Sequence, residues 1–319
     1  MNPALPRTSA AVDRCVGRPP RQRMERVCEP AVTPFEIWDL LVANSALGER
    51  LYEPAFAPVL REALQNLHSG AGVTRATGPL PPALKGFDAV FLAGGRALDP
   101  GLQALVANIP PVFFGADGVF TSAAGGFHLL SARGLSGWVL DLGQSQLKIA
   151  TPERRWLFPR DSTRLRAAGE VPVSELAAQR RRLKEFLALK LEAVNVASGC
   201  RPKALVAALP TRLADDGTPL GGSYAGLRGY RELLPDVLGM LGLSDIPLLV
   251  LNDAELCGFA ALADSRLGPF RKILVLTLGF GLGAALTQRS SRICLEARSD
   301  IAGNPTSRFR ALSGGKSQQ

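Results

Sequence analysis

Short apolar runs recur along the middle of the chain, each cut off by glycine or by an acid: Ala89-Val-Phe-Leu-Ala93, Trp138-Val-Leu140, Ala204-Leu-Val-Ala-Ala-Leu209, Pro247-Leu-Leu-Val-Leu251 and Ile273-Leu-Val-Leu-Thr-Leu278. Runs of this length without polar alternation predict strands buried on both faces, and hence a sheet covered by helices. Residues 174–196 predict a long helix with a polar cap at its start. Its basic run, Gln179-Arg-Arg-Arg-Leu-Lys184, reads as a solvated face or as a contact for a partner or nucleic acid. No run approaches the roughly 18–20 apolar residues of a membrane span, which argues against a membrane partner.

Polar chemistry enters where these runs stop. Residues 137–150 predict a strand ending at Asp141, a tight turn through Gly143 and Ser145, and a second strand carrying Lys148. Glycine lets the amide groups of such a turn approach an anion, and Asp141 could hold Mg²⁺ through water. Alone, the same residues also make an ordinary hairpin. Residues 247–261 predict a strand that stops at Asn252-Asp253 and continues as a helix. Residues 273–287 predict two strands joined through Gly279, Gly281 and Gly283; a dinucleotide fingerprint would instead place a helix after the turn.

The order and content of these segments resemble the actin-like ATPase superfamily, and within it the repressor/open-reading-frame/kinase (ROK) family of sugar kinases and sugar-responsive repressors. The resemblance spans roughly residues 137–287 and includes Pro210 and the Asp216-Gly217 turn. It implies that Asp141-Leu-Gly-Gln-Ser-Gln-Leu-Lys148 is the first phosphate motif, Asn252-Asp253-Ala-Glu255 the connecting motif and Leu278-Gly-Phe-Gly-Leu-Gly283 the second. Asp253 would then take the proton from the sugar hydroxyl, with Asp141 and Lys148 completing the catalytic group. Gly143, Ser145, Gly279, Gly281 and Gly283 would cradle the phosphates of ATP, with Mg²⁺ at Asp141. The superfamily's adenosine motif is similar to Gly86–Val106, with the Gly94-Gly95 turn and a helix beginning near Asp99-Pro100; Phe114–Gly126 is similar to the helix closing the second domain.

Because the adenosine motif precedes the phosphate motifs, the resemblance implies a circular permutation of an α/β, two-domain, ribonuclease H-like fold. Residues 1–33 form a disordered basic tail, 34–136 the adenosine part of the second domain, 137–268 the first domain, and 269–319 the second phosphate hairpin and tail. Within Gly221–Tyr230, Ser223 and Arg228 are candidate sugar contacts beside Asn252; the segment reads equally as a connecting loop.

Two residues depart from most ROK kinases: Gln144 stands for Gly and Phe280 for Thr. The Cys-rich zinc loop and the Glu-x-Gly-His element of many members are also missing, so no zinc is expected and a non-catalytic nucleotide- or sugar-binding module is the competing reading. At 319 residues, 46% apolar and 20% charged, the chain is long enough for two packed domains. Its net charge of +9 gathers in the ends, with six Arg against three acids in 1–33 and five Arg and one Lys against two acids in 288–319. That placement argues against a nucleic-acid surface in the body. Cys15, Cys28, Cys200, Cys257 and Cys294 lack metal-type spacing and suggest a reducing cytoplasm. His68 and His128 read as structural, and a homodimer is compatible with the sequence.

Overall fold

The computed structural model describes residues 24–26, 32–34, 60–61, 64–65, 74–75, 78–79, 87–106, 111–163, 172–221, 224–279 and 282–289. In chain order the first strands are β1 (Met24–Arg26), β2 (Val32–Pro34), β3 (Thr74–Arg75), β4 (Gly78–Pro79) and β5 (Ala89–Ala93). Helix α1 (Pro100–Val106), β6 (Val112–Phe114) and helix α2 (Thr121–Ala132) follow. Next come β7 (Trp138–Leu142), β8 (Gln146–Ala150), β9 (Arg155–Pro159), helix α3 (Val173–Ser198), β10 (Leu205–Leu209) and helix α4 (Leu233–Met240). The last elements are β11 (Leu248–Asn252), helix α5 (Asp253–Ala263), β12 (Lys272–Leu278) and β13 (Leu282–Gln288).

The strands form a six-stranded sheet, β1-β11-β10-β7-β8-β9, a five-stranded sheet, β2-β13-β12-β5-β6, and a β3–β4 ladder. In the first sheet β9, β8 and β7 are antiparallel, and β7, β10, β11 and β1 run parallel. The second repeats the scheme: β2, β13 and β12 are antiparallel, then β12, β5 and β6 parallel. The α/β class expected from the apolar runs is therefore present. Strand β1 lies inside the segment 1–33 read as a disordered tail, and β2 crosses its end. That expectation is corrected for these residues. Strands of three residues carry no periodicity of their own, and both are held by distant partners, Met24 opposite Leu248 and Val32 opposite Thr287.

Because successive strand residues point to opposite faces, each buried strand feeds two cores. Trp138, Leu140 and Leu142 of β7, with Leu205, Ala207 and Leu209 of β10 and Leu248 and Val250 of β11, pack with residues of α3 and α4. Val139, Val206, Ala208, Leu249 and Leu251 face the other way, into a core shared with α2, α5 and the second sheet's Ala89, Phe91, Ile273 and Val275. Asp141 has the parity of Val139, and Thr277 that of Val275. Both polar groups are thus aimed at the layer between the sheets.

That layer is held by two glycines of α2. A Cβ on Gly125 would lie 1.9 Å from the Leu256 carbonyl oxygen of α5, and one on Gly126 would lie 2.5 Å from the Val139 methyls of β7. Helix α3 starts one residue before its expected polar cap, on Pro172 with no side-chain capping bond, and ends on Gly199 in the left-handed region. Helix α1 begins where Asp99-Pro100 predicts it, the Asp99 carboxylate accepting the Gly101 N–H at 2.8 Å.

Candidate functional site

The hairpin expected from residues 137–150 is β7–β8, with Asp141 directly opposite Lys148 in the antiparallel register. Lys148 Nζ donates to Asp141 Oδ2 at 2.9 Å, and Ser122 Oγ, from the first turn of α2, donates to the same oxygen at 2.6 Å. Asp141 Oδ1 makes no hydrogen bond among the described residues. Burial alone would depress the Lys148 ammonium; the charge and hydrogen bond of Asp141, with smaller help from Cys257 and Asp253, outweigh it and raise the pKa. Lys148 therefore stays protonated.

Asp253 opens α5 where β11 stops, as the apolar run predicts. The junction is a capping box: Asn252 Oδ1 accepts the Ala254 N–H at 2.9 Å, and Glu255 Oε2 accepts the Asn252 N–H at 2.7 Å. Asn252 Nδ2 also donates to the Thr211 carbonyl at 3.0 Å. Such a cap contributes about 1 kcal/mol, and it engages Asn252, the candidate sugar contact, in the fold itself. Asp253 is half-buried. Burial first, and the charge of Asp141 second, push its carboxyl up to about 7. One helical turn on, Cys257 is buried; desolvation and the charges of Asp141 and Asp253 push its thiol well up, leaving it neutral.

The second glycine hairpin, β12–β13, closes over this carboxylate. Gly283 is paired with Thr277, and a Cβ there would lie 2.3 Å from Thr277 Oγ1 and 3.4 Å from Asp253 Oδ1. Thr277 is buried, and its hydroxyl has no hydrogen-bond partner among the described residues. Gly94, at φ +93°, stands where a Cβ would lie 2.5 Å from the Leu278 carbonyl, so the end of β5 abuts the end of β12. Gly95 next to it faces open space. The ends of β5, β7, β11 and β12 thereby gather Gly94, Asp141, Asp253 and Thr277, at the carboxyl edge where ligands of open α/β sheets bind.

Other expected residues fall elsewhere. Gly143 sits in the β7–β8 turn, where a Cβ would lie 2.9 Å from the Gln146 carbonyl, and Ser145 is exposed on the same turn. Gly279 is exposed at the end of β12; Gly281, Phe280 and Ser223 lie outside the described residues. Arg228 is exposed and its carbonyl accepts from Arg180, with no bond to the Asp253 region. His128 sits half-buried on α2, its imidazole pKa lowered by burial and by Arg289; His68 lies outside the described residues. Cys200 and Cys257 are free thiols, and among the described residues no three His, Cys, Asp or Glu group as metal ligands. No described helix is long and apolar enough to cross a membrane.

Ser122 and Thr277 escaped the sequence reading. Ser122 lies 19 residues before its partner Asp141 on another element, so no local spacing reveals it. Thr277 reads as one more position of a buried strand; its only signal is that it shares the parity of Val275 while its neighbours are aliphatic. No family model matches the chain, and no curated protein matches it.

Proposed function

We propose that this chain is a circularly permuted actin-like phosphotransferase, similar to ROK kinases, that moves the γ-phosphate of ATP to a hydroxyl of a sugar or sugar-like polyol. The observation that carries the reading is one half-buried carboxylate, Asp253, with Gly283 of the β12–β13 hairpin against it and the charges of Asp141 and Lys148 acting on it, whose pKa lies at about 7. The repeated scheme of three antiparallel strands continued by parallel ones, three in the first sheet and two in the second, supports a two-lobed, ribonuclease H-like architecture. In the second sheet that scheme reads β12, β13, β2, β5, β6, so its last three strands precede the first two in the chain, as a permutation requires.

Asp253 is suited to a general base because its pKa lies near neutral pH, where a carboxylate is both present and basic enough to accept a hydroxyl proton. Lys148, held cationic by Asp141, would offset the charge of the transferring phosphoryl group. The turns at 143–145 and at Gly279 would offer main-chain N–H groups to the β- and γ-phosphates. Asp141 fits Mg²⁺, since a single carboxylate oxygen remains for a water-mediated contact; the ion would neutralise phosphate charge. Ser122 ties α2 to β7 and so fixes the orientation of Asp141.

The test is direct. The purified protein, given ATP, Mg²⁺ and a panel of hexoses, hexosamines and polyols, should release ADP in step with sugar phosphate. Measurable ATP affinity with no phosphoryl transfer to any acceptor would favour the non-catalytic module that signals by binding.

A further inference from the structure

Arg160, just after β9, is the largest fully buried side chain of the described residues, with 0% of its surface exposed. No carboxylate contacts it among those residues. Its guanidinium donates from one terminal nitrogen to the Gly143 carbonyl and from the other to the Thr163 carbonyl at 2.7 Å, while its backbone N–H donates to the Ser145 carbonyl at 2.9 Å. The Nε–H has no partner. A buried cation without an acid is expensive to keep, and an aliphatic side chain of similar size would fill the space at lower cost. Burial itself works against the charge, and lowers the Arg160 pKa to about 10, which still leaves the group protonated at neutral pH.

We infer that Arg160 is a positioning residue for a phosphate-type anion at the 143–145 turn: from beneath, it pins the turn's carbonyls inward and supplies the positive field above which the anion sits. The inference rests on the kinase reading and names the group that shapes its first phosphate turn. The geometry works through the planar trans peptide, whose C=O and N–H lie on opposite edges. A Gly143 carbonyl drawn onto the guanidinium turns the N–H edge of the Gly143–Gln144 peptide to the opposite side, and Ser145 of the same turn is exposed. Gly143 permits the close packing this needs, since a Cβ there would press on the Gln146 carbonyl at 2.9 Å. A planar fork can hold both the Gly143 and Thr163 carbonyls; a lysine ammonium keeps the charge and loses the fork.

Calorimetric titration of the full chain with inorganic pyrophosphate and, separately, with adenosine tests this, using the unmutated protein, Arg160→Met and Arg160→Lys. Circular dichroism and thermal melting establish folding for each. For Arg160→Met the pyrophosphate affinity should fall about tenfold or more, with adenosine affinity within about twofold; Arg160→Lys should recover part of the loss. Pyrophosphate binding unchanged in a folded variant overturns the inference and leaves the kinase reading standing, and failure of both variants to fold overturns it by making Arg160 a residue of the fold alone. An unmutated protein that binds neither probe overturns the kinase reading together with the inference.

Discussion

Asp253→Asn should lower the rate of sugar phosphorylation by roughly 10²–10⁴-fold, the range for loss of a general base, while ATP affinity stays close to that of the unmutated protein. The separation follows from the geometry: Asp253 is the first residue of α5 and lies against Gly283, whereas the proposed nucleotide contacts are Gly94 and the two hairpin turns. Steady-state rates and equilibrium ATP binding measured on both proteins check it; equal kcat values would remove Asp253 from the chemistry. The pH profile carries the same signature. With the carboxyl at about 7, kcat/KM should fall about tenfold per unit below that pH, and this limb should vanish in the variant. Stability moves in the opposite sense. An acid whose folded pKa lies above its unfolded value binds its proton more tightly in the native state, so the unmutated protein loses stability as pH rises from about 4 to about 7. The Asn variant lacks that term and should be more stable above pH 7, by about 1–3 kcal/mol given the carboxylate's partial exposure.

Gly125→Ala should be strongly destabilising. The added Cβ would fall 1.9 Å from the Leu256 carbonyl and 2.7 Å from the Ala260 nitrogen, both backbone atoms that cannot swing aside. Alanine ordinarily strengthens a helix by about 1 kcal/mol over glycine, but overpacking a rigid contact costs about 1–3 kcal/mol or more, so the clash wins. A fall in melting temperature of about 5 °C or more is expected. Gly95→Ala, whose Cβ meets no atom within 4 Å, should leave melting nearly unchanged and serves as the control. Equal melting of the two variants would mean that α2 and α5 do not cross as closely as the backbone places them. The same substitution should weaken the Ser122–Asp141 hydrogen bond, because α2 carries Ser122 one turn before Gly125.

The elements legible in the sequence were those whose signal is local. The β7–β8 hairpin, the β11–α5 junction and β12–β13 each pair an apolar run with glycine or a capping residue, and each lies where its run predicts. Strands β1 and β2 were illegible because three residues set no period and their hydrogen-bond partners come from the far half of the chain. At the site, the Asp141–Lys148 pair could be read from strand alternation across a short turn. Ser122 and Arg160 could not, since each reaches its partners only after separate elements pack, and a serine at a helix start or an arginine after a strand is unremarkable in itself.

The second sheet is assembled from both halves of the chain. β5 must wait for β12, and the neighbouring backbone bond from Lys272 to the Asp88 carboxylate closes a separation of 184 residues. The first sheet finds its central partners among β7, β10 and β11, all between residues 138 and 252. Closing the longer loop carries the larger entropy loss, and contacts of high sequence separation form slowly. Pulse-labelled amide exchange during refolding should therefore protect β10 and β11 before β5 and β12, and the reverse order would refute this. During synthesis, β5 can pair with β6, but its other edge and its two apolar faces stay uncovered until β12, about 180 residues later, has emerged; that interval, more than the finished fold, is where this protein is exposed to aggregation and to chaperone capture.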